Sequence, residues 1–362
     1  MRDEVGMTND QGSMPKEAMK SLVVGHWSLV LGPWSFCFIL HPSSFILLLW
    51  VFAVGGAVGS FLNVVVYRLP RGMSLIRPGS HCPACNKPIR PRDNLPILGW
   101  FLLRGRCRDC KAKIAFRYPL VEAITAAMFL AVGMVEGLSG GANLPQRLDP
   151  LADGMSVSHP GETELIVLVS YHLVLLCTLL AAGFIEYDGH RLPLRLMLPA
   201  LVVGVVAPLA WPQIRPVPVY DGLSGWIAGL SDGAAGLAVG ALLGFAAWYA
   251  TGASRGVPLL RRSSARGGLT TLLLRSSGTE GPDRDRVGLV LGPACVGLFL
   301  GWQAALVLGL ASIALHLAAT ALGRKWPAVR RPFPTLGLAA ATLAWILMWY
   351  DLVRIPRSWG IL

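Results

Sequence analysis

Four of the seven cysteines form two short pairs that could bind a metal ion. The pairs are Cys82-Pro-Ala-Cys85 and Cys107-Arg-Asp-Cys110, and 21 residues separate them. Two pairs at this spacing are typical of a structural zinc site, in which four thiolates surround one tetrahedral ion. Such a site has no open coordination position, so the pattern predicts a zinc ion that stabilises a small fold without catalysing a reaction. Two disulfides, or four reduced thiols without metal, would fit the same residue types.

Long apolar segments surround this candidate metal site. The chain has 362 residues, of which 54% are hydrophobic and only 14% are charged, whereas soluble domains carry about a quarter charged residues. A helix needs ~20 apolar residues to cross a bilayer. The predicted spans are 45–66, 118–135, 165–185, 192–211, 233–251, 287–300, 302–322 and 335–352. The sequence therefore predicts an all-α polytopic membrane protein with about eight transmembrane helices and a small zinc-ribbon insertion at 68–117.

Lysine and arginine are concentrated in alternate segments between these spans. Under the eight-span count, four segments on one side of the membrane hold 25 of the 32 Lys and Arg residues: 68–117, 186–195, 252–286 and 323–334. Cytoplasmic loops attract Lys and Arg, so these segments and the zinc ribbon are expected to face the cytoplasm. Disulfides are rare there, which favours zinc. The placement accounts for the net charge of +12 without a nucleic-acid partner, and the basic loop 252–286 is expected to meet anionic membrane lipid.

Several motifs flank the cysteines and continue beyond them. Residues 59–70 read Gly-Ser-Phe-Leu-Asn-Val-Val-Val-Tyr-Arg-Leu-Pro, and residues 117–122 read Arg-Tyr-Pro-Leu-Val-Glu. Nearly without gaps, the run 55–129 resembles the opening of bacterial prepilin peptidases, the type IV leader peptidases with N-methyltransferase activity. Weaker matches follow in family order at 184–193, 297–303 and 331–337.

The resemblance implies an aspartic protease in the bacterial inner (plasma) membrane. Such an enzyme removes the short basic leader from type IV pilin-like or pseudopilin precursors at the cytoplasmic face. Many members also methylate the new N-terminus with S-adenosylmethionine. An aspartic mechanism needs two carboxylates that share a water molecule, and their proximity splits their pKa values so that one serves as base and the other as acid.

Glu186 and Asp188 stand where the family's first catalytic aspartate is expected. Residues 186–194 read Glu-Tyr-Asp-Gly-His-Arg-Leu-Pro-Leu, and the alignment puts that aspartate on Glu186. Glutamate keeps the acid but moves it outward by one methylene, and positioning errors of ~1 Å can cost ~10²-fold in rate. Asp188 could substitute only if the backbone turns there. The alternative is that both are solvated acids at the membrane surface.

The second family aspartate normally follows a glycine, a fixed distance before a Gly-Trp pair. Counting back from the Gly-Trp pair at 301–302 places Leu289 at that position, directly after Gly288. The nearest acids are Asp283 and Asp285, which alternate with arginines. That alternation also fits exposed local ion pairs, which contribute little energy. The catalytic candidates are therefore Glu186, Asp188, Asp283 and Asp285.

The resemblance divides the chain into three parts. These are an N-terminal extension (1–44) without an assigned role, an N-terminal peptidase region (45–135) and an aspartic peptidase-type membrane domain (136–362). Glu122 matches a family acid and is expected to have a structural or methyl-transfer role, whereas His172 is expected to be an ordinary polar residue. The leading hypothesis is an active prepilin leader peptidase. The alternative is a catalytically lapsed paralogue that acts as a membrane scaffold or binds pilin-like helices.

Overall fold

The computed structural model describes residues 42–144, 161–211, 214–215, 225–253, 287–325 and 334–349. Asp283 and Asp285, and nearly all of the predicted extension, lie outside these residues. The chain divides into two compact units, Met1–Trp50 and Val51–Leu362. In the first unit only residues 42–50 are described, and they form the start of the first helix.

The described part of the chain is helical and contains no β-strand longer than an isolated bridge. The helices are α1 (Pro42–Arg68), α2 (Leu98–Leu102), α3 (Arg117–Val132), α4 (Glu162–Tyr187), α5 (Met197–Ala210), α6 (Gly225–Ala253), α7 (Val287–Leu300), α8 (Trp302–Lys325) and α9 (Pro334–Leu347). Short 3₁₀ turns occur at Leu69–Arg71, Pro91–Asp93 and Leu194–Leu196, and a π-helical turn, Gly133–Leu138, extends α3. The prediction of an all-α fold is confirmed for these residues.

Four of the helical segments are long and apolar enough to cross a membrane. They are Ser43–Arg71, Arg117–Leu138, Glu162–Tyr187 and Gly229–Tyr249. Four shorter apolar helical segments correspond to the remaining predicted spans: Leu194–Ala210, Val287–Leu300, Trp302–Ala318 and Thr335–Leu347. Within the described residues each of the eight predicted segments is mainly helical, and the count of eight membrane crossings stays a prediction.

One predicted span starts later than the sequence suggested. Where the sequence predicted a helix from residue 192, the structure has an extended Pro193 followed by a 3₁₀ turn. The helix α5 begins only at Met197. Proline lacks a backbone N–H and disfavours helical geometry in the residue before it, which explains the late start. Gly189, with φ 72°, ends α4 in the left-handed conformation typical of helix C-termini.

Glycines on α6 bring that helix into close contact with α7. A β-carbon on Gly236 would overlap the carbonyl oxygen of Gly297, and one on Gly240 would overlap the carbonyl oxygen of Pro293. Gly244, one turn further, faces Val290 in the same way. Small residues at four-residue spacing let membrane helices approach closely and pack by van der Waals contact. This packing fixes the position of α7, whose first turn belongs to the candidate active site.

Two buried polar clusters lie inside the bundle. Arg215 is 2% exposed and donates hydrogen bonds to the carbonyl oxygens of Gly204 on α5, Gly229 on α6 and Leu298 on α7. His172 on α4 and Glu136 on the π-helical turn are both fully buried, with Nδ1 2.7 Å from Oε1. Ionisable groups in a membrane interior are costly unless they are paired, and both clusters provide such partners.

Candidate active site and metal centre

The four predicted zinc ligands meet at one point in the ribbon. The Sγ atoms of Cys82, Cys85, Cys107 and Cys110 all lie within 4.8 Å of one another, and those of Cys82 and Cys110 are 3.8 Å apart. Sulfurs around a tetrahedral zinc with Zn–S bonds of about 2.3 Å would be about 3.8 Å apart. The cluster could therefore hold a zinc ion, in agreement with the spacing of the two pairs.

The two cysteine pairs have the same local structure. In each, the first cysteine's carbonyl accepts a hydrogen bond from the residue four positions on, Asn86 at 2.8 Å and Lys111 at 3.1 Å. The donor residue of each turn has a left-handed backbone conformation, with φ 56° at Asn86 and 62° at Lys111. An isolated bridge flanks each pair, between His81 and Pro88 and between Arg106 and Lys113. The repeated turn presents two thiols from each side of the cluster.

Backbone hydrogen bonds and crowding set the protonation of the thiols. The backbone N–H groups of Cys85 and Ala84 lower the pKa of Cys82 to about 7. The N–H of Lys87 acts in the same direction on Cys85, but desolvation and three neighbouring thiols raise the pKa of Cys85 to about 11. The neighbouring thiols thus resist simultaneous ionisation, and a bound cation would remove that conflict.

Side chains outside the cysteines hold the ribbon together. Arg108, inside the second pair, donates from Nε to Asp93 at 2.7 Å, and its guanidinium keeps the pKa of that carboxyl below its usual range. Trp100 donates from Nε1 to the carbonyl oxygen of Ile114 at 3.0 Å and contacts the ring of Phe116 edge to face. The ion pair and the tryptophan tie the segment between the cysteine pairs to the second pair.

Glu186 lies in the last turn of α4, and its carboxylate reaches the first turn of α7. A β-carbon on Gly288 would overlap Oε1 of Glu186 and would lie 2.8 Å from Oγ1 of Thr335, the second residue of α9. Thr335 is 1% exposed, and its hydroxyl has no hydrogen-bond partner among the described residues. Three helices therefore bring an acid, a glycine and a hydroxyl together.

Asp188 has a different environment from Glu186. One guanidinium nitrogen of Arg117, at the start of α3, donates to both carboxylate oxygens of Asp188 at 2.6 Å. The guanidinium also lies 5.5 Å from the centre of the Phe184 ring. Asp188 therefore links α4 to α3, whereas the Glu186 carboxylate lies against α7.

The residue at the expected second acid position is apolar. Leu289 directly follows Gly288 and is 4% exposed, so it offers no carboxylate where the resemblance places one. The two nearest acids in the sequence, Asp283 and Asp285, lie outside the described residues. The structure thus places one member of the predicted carboxylate pair and leaves the pairing itself a prediction.

Two further acids acquire partners that the sequence did not reveal. Glu122 on α3 accepts a hydrogen bond from the backbone N–H of Ile97 at 2.6 Å, which is a structural use of this acid. His172, expected to be an ordinary polar residue, pairs with Glu136 across two helices. The sequence did contain a signal for these contacts: Glu122 and His172 are ionisable residues inside predicted spans, where isolated charges are rare.

The described residues therefore define a class of protein: a helical membrane protein with a four-cysteine ribbon beside its first spans and an acid at the C-terminal end of a later one. The bacterial peptidase A24 N-terminal domain matches residues 53–135. The type 4 prepilin-like proteins leader peptide-processing enzyme of Escherichia coli O78:H11 is 36% identical over 225 residues, covering 54% of this chain and 73% of the relative. Because this match covers most of that relative, the chain belongs to the prepilin peptidase family.

Other relatives have the name prepilin leader peptidase/N-methyltransferase and differ in coverage. The prepilin leader peptidase/N-methyltransferase of Klebsiella pneumoniae is 35% identical over 50% of this chain and 68% of its own length. That of Myxococcus xanthus is 35% identical over 45% of this chain but only 40% of its own length. The chain thus spans about two fifths to three quarters of these relatives. No solved structure matches it significantly.

Proposed function

We propose that this protein is a prepilin leader peptidase that cleaves type IV pilin-like and pseudopilin precursors by a two-carboxylate mechanism. Its first acid is Glu186, and its second is Asp283 or Asp285. The supporting observation is the position of the Glu186 carboxylate against Gly288, because Gly288 lies three residues after Asp285 in the sequence. The acid at the end of α4 thus meets the start of α7, where the family resemblance expects the second acid.

In the proposed reaction one carboxylate is ionised and the other protonated. The ionised carboxylate takes a proton from water while the water oxygen attacks the carbonyl carbon of the peptide bond after the leader. The protonated carboxyl gives its proton to the carbonyl oxygen, and collapse of the intermediate releases the leader once the amide nitrogen is protonated. Asp188 keeps its ion pair with Arg117 and acts as a positioning residue at the end of α4.

Zinc and S-adenosylmethionine have separate places in this proposal. Zinc, held by Cys82, Cys85, Cys107 and Cys110, stabilises the ribbon through a closed four-thiolate shell. S-adenosylmethionine is the methyl donor for the N-methyltransferase activity that the relatives' names include. We place the protein in the bacterial inner membrane, with the ribbon and the acids on the cytoplasmic side, as the distribution of Lys and Arg indicates.

The buried Leu289 favours a second candidate function. An apolar residue at the second acid position fits a catalytically lapsed paralogue that keeps the ribbon and the helices to hold or bind pilin-like helices. In that case the Glu186 carboxylate would be a remnant of the site, and the unaltered protein would leave precursors uncut.

Cleavage of a co-expressed pilin-like precursor in membranes tests the proposal. Glu186→Ala should abolish processing, Glu186→Asp should retain or raise it, and loss of both Asp283 and Asp285 should abolish it. Glu162→Ala is the matched control, since Glu162 is an exposed acid at the opposite end of α4. Processing that survives simultaneous loss of Glu186 and Asp188 excludes this mechanism. An inactive unaltered protein that gains activity with Leu289→Asp identifies the lapsed paralogue.

A further inference from the structure

The segment 95–102, between the two cysteine pairs, is apolar throughout. It reads Leu-Pro-Ile-Leu-Gly-Trp-Phe-Leu and carries no charge, although Asp93 and Arg104 lie close to its two ends. Its second half forms α2. The ribbon around this run is basic, so the large apolar side chains of the run are expected to contact other apolar groups.

One face of α2 is exposed although it consists of large apolar side chains. Leu98, Phe101 and Leu102 are 61%, 57% and 69% exposed, and their spacing of three and four residues puts them on one side of the helix. Trp100 points the other way, into the ribbon, where it bonds to Ile114. The exposed face is therefore a consequence of how Trp100 anchors the helix.

The start of the segment packs against the membrane-spanning helices well inside their ends. A β-carbon on Gly56 of α1 would lie 3.2 Å from Cβ of Pro96. Asn63 of α1 donates to the carbonyl oxygen of Tyr118 at the start of α3, and Gly56 is seven residues before Asn63, which corresponds to about 10 Å of helix. Ile97 bonds to Glu122, five residues or about 8 Å into α3. The half-thickness of the hydrocarbon core is about 15 Å, so these contacts lie at membrane depth.

The backbone N–H groups of residues 97–99 find partners within the protein, as membrane depth requires. Non-helical backbone is tolerated there only if its polar groups find partners within the protein. Pro96 has no N–H, that of Ile97 donates to Glu122, and those of Leu98 and Gly99 donate to the carbonyls of Pro96 and Leu95. Ile97 has φ 61°, an unfavourable value for a β-branched residue, which indicates that the Glu122 contact holds it in place.

We propose that segment 95–102 is a re-entrant element that enters the lipid beside α1 and α3, so that Leu98, Phe101 and Leu102 contact acyl chains. The occupant of the apolar face is lipid because Pro96 and Ile97, which lead directly into α2, contact α1 and α3 at membrane depth. Glu122 is then a positioning residue that accepts the hydrogen bond of Ile97 inside the membrane. The proposal depends on the membrane class of the protein and not on its peptidase activity.

Site-specific fluorescence in reconstituted liposomes tests the proposal. The dye NBD is attached to Leu98→Cys, Phe101→Cys and Leu102→Cys in the full chain, with the signal of the unsubstituted protein subtracted. Ile124→Cys is the lipid-facing control, and Arg90→Cys, an exposed ribbon position, is the aqueous control. We expect the three positions to be quenched by doxyl-labelled acyl chains like the Ile124 control. We also expect iodide to quench them several-fold less than the Arg90 control.

Two outcomes would overturn the re-entrant assignment. Iodide quenching equal to that of the Arg90 control would place the face in water, and quenching by neither agent would show that protein covers it. A second pair of variants tests the anchor: Glu122→Ala should increase iodide access at Leu98→Cys several-fold, whereas Glu122→Gln, which keeps an acceptor oxygen, should not. Equal access in both variants would remove Glu122 from the proposal.

Discussion

The carboxylate of Glu186 occupies the space that a β-carbon on Gly288 would need. Glu186 and Gly288 belong to helices that are far apart in the sequence. Because glycine has no side chain, position 288 lets the acid approach the backbone of α7. The hydroxyl of Thr335 faces the same point from α9. The contact therefore makes Gly288 part of the candidate site, although it carries no chemical group.

Gly288→Ala should displace the Glu186 carboxylate, because the new methyl group would overlap Oε1. If the proposed mechanism holds, the rate of precursor processing should fall by about 10²-fold, as for other misplacements of ~1 Å. Gly292→Ala is the matched control one turn along α7, since its methyl group would meet only the flexible end of Leu338. Processing rates of the two variants at equal protein amounts decide the matter, and equal rates would contradict the prediction.

The ion pair between Arg117 and Asp188 should stabilise the protein more than it assists cleavage. We expect a coupling free energy of about 1 kcal/mol in a double-mutant cycle with Arg117→Ala and Asp188→Ala, measured by thermal unfolding in detergent. The Lys87–Asp109 pair is the comparison: its nitrogen and oxygen are 3.7 Å apart and its lysine is 63% exposed, so its coupling should be near zero. Asp188→Asn that abolishes processing but leaves the melting temperature unchanged would reverse these roles.

The purified protein should contain one zinc ion per chain. Cys82→Ser or Cys110→Ser should lower the zinc content because each removes one of four ligands. Cys177→Ser is the control, since Cys177 lies on α4 and outside the cluster. Metal analysis of the three variants measures the effect. Purified protein without zinc, with all four ribbon thiols freely alkylated, would show that the ribbon does not use the metal.

Zinc retention should weaken as the pH falls. The pKa of Cys82 is lowered to about 7 and that of Cys85 is raised to about 11, so zinc binding near neutral pH must displace protons from the ribbon thiols. A lower pH favours the protonated thiols and therefore the metal-free state. Competition with a chelator at pH 6, 7 and 8 should give the tightest binding at pH 8. Binding that is tightest at pH 6 would contradict thiolate ligation.

The basic loop 252–286 should be inaccessible from outside intact cells. The reason is that it belongs to the segments that hold most of the Lys and Arg residues. An impermeant maleimide should fail to label Arg266→Cys in intact cells and should label it after lysis. Ser156→Cys, in the loop between the second and third predicted spans, should be labelled in both conditions. Labelling of Arg266→Cys from outside would invert the proposed topology.

The sequence revealed features that depend on local spacing and left out those that depend on distant contacts. The cysteine cluster could be predicted because four residues at fixed spacing leave few geometries for a metal. The apolar helices could be predicted because length and composition alone determine whether a segment suits a membrane. The late start of α5 was also readable in principle, since Pro193 stands at the place where the helix was expected to continue.

The distant contacts required the packing of whole helices. The contact between Glu186 and Gly288 depends on the position of α7, which the glycines of α6 determine. The role of Glu122 depended on a left-handed Ile97 in a segment 25 residues away, and that of His172 on a π-helical turn that carries Glu136. In each case the residue type indicated a need for a partner, but the partner's identity came from tertiary structure.

The buried Arg215 has a consequence for the biosynthesis of the protein. Two of its acceptor carbonyls, on Gly204 and Gly229, are made close to it in the chain, but the third belongs to Leu298, 83 residues later. A nascent chain that stops before α7 therefore holds a guanidinium short of one acceptor. Synthesis of α7 supplies this third carbonyl, so we expect the packing around Arg215 to form only after α7 has been inserted.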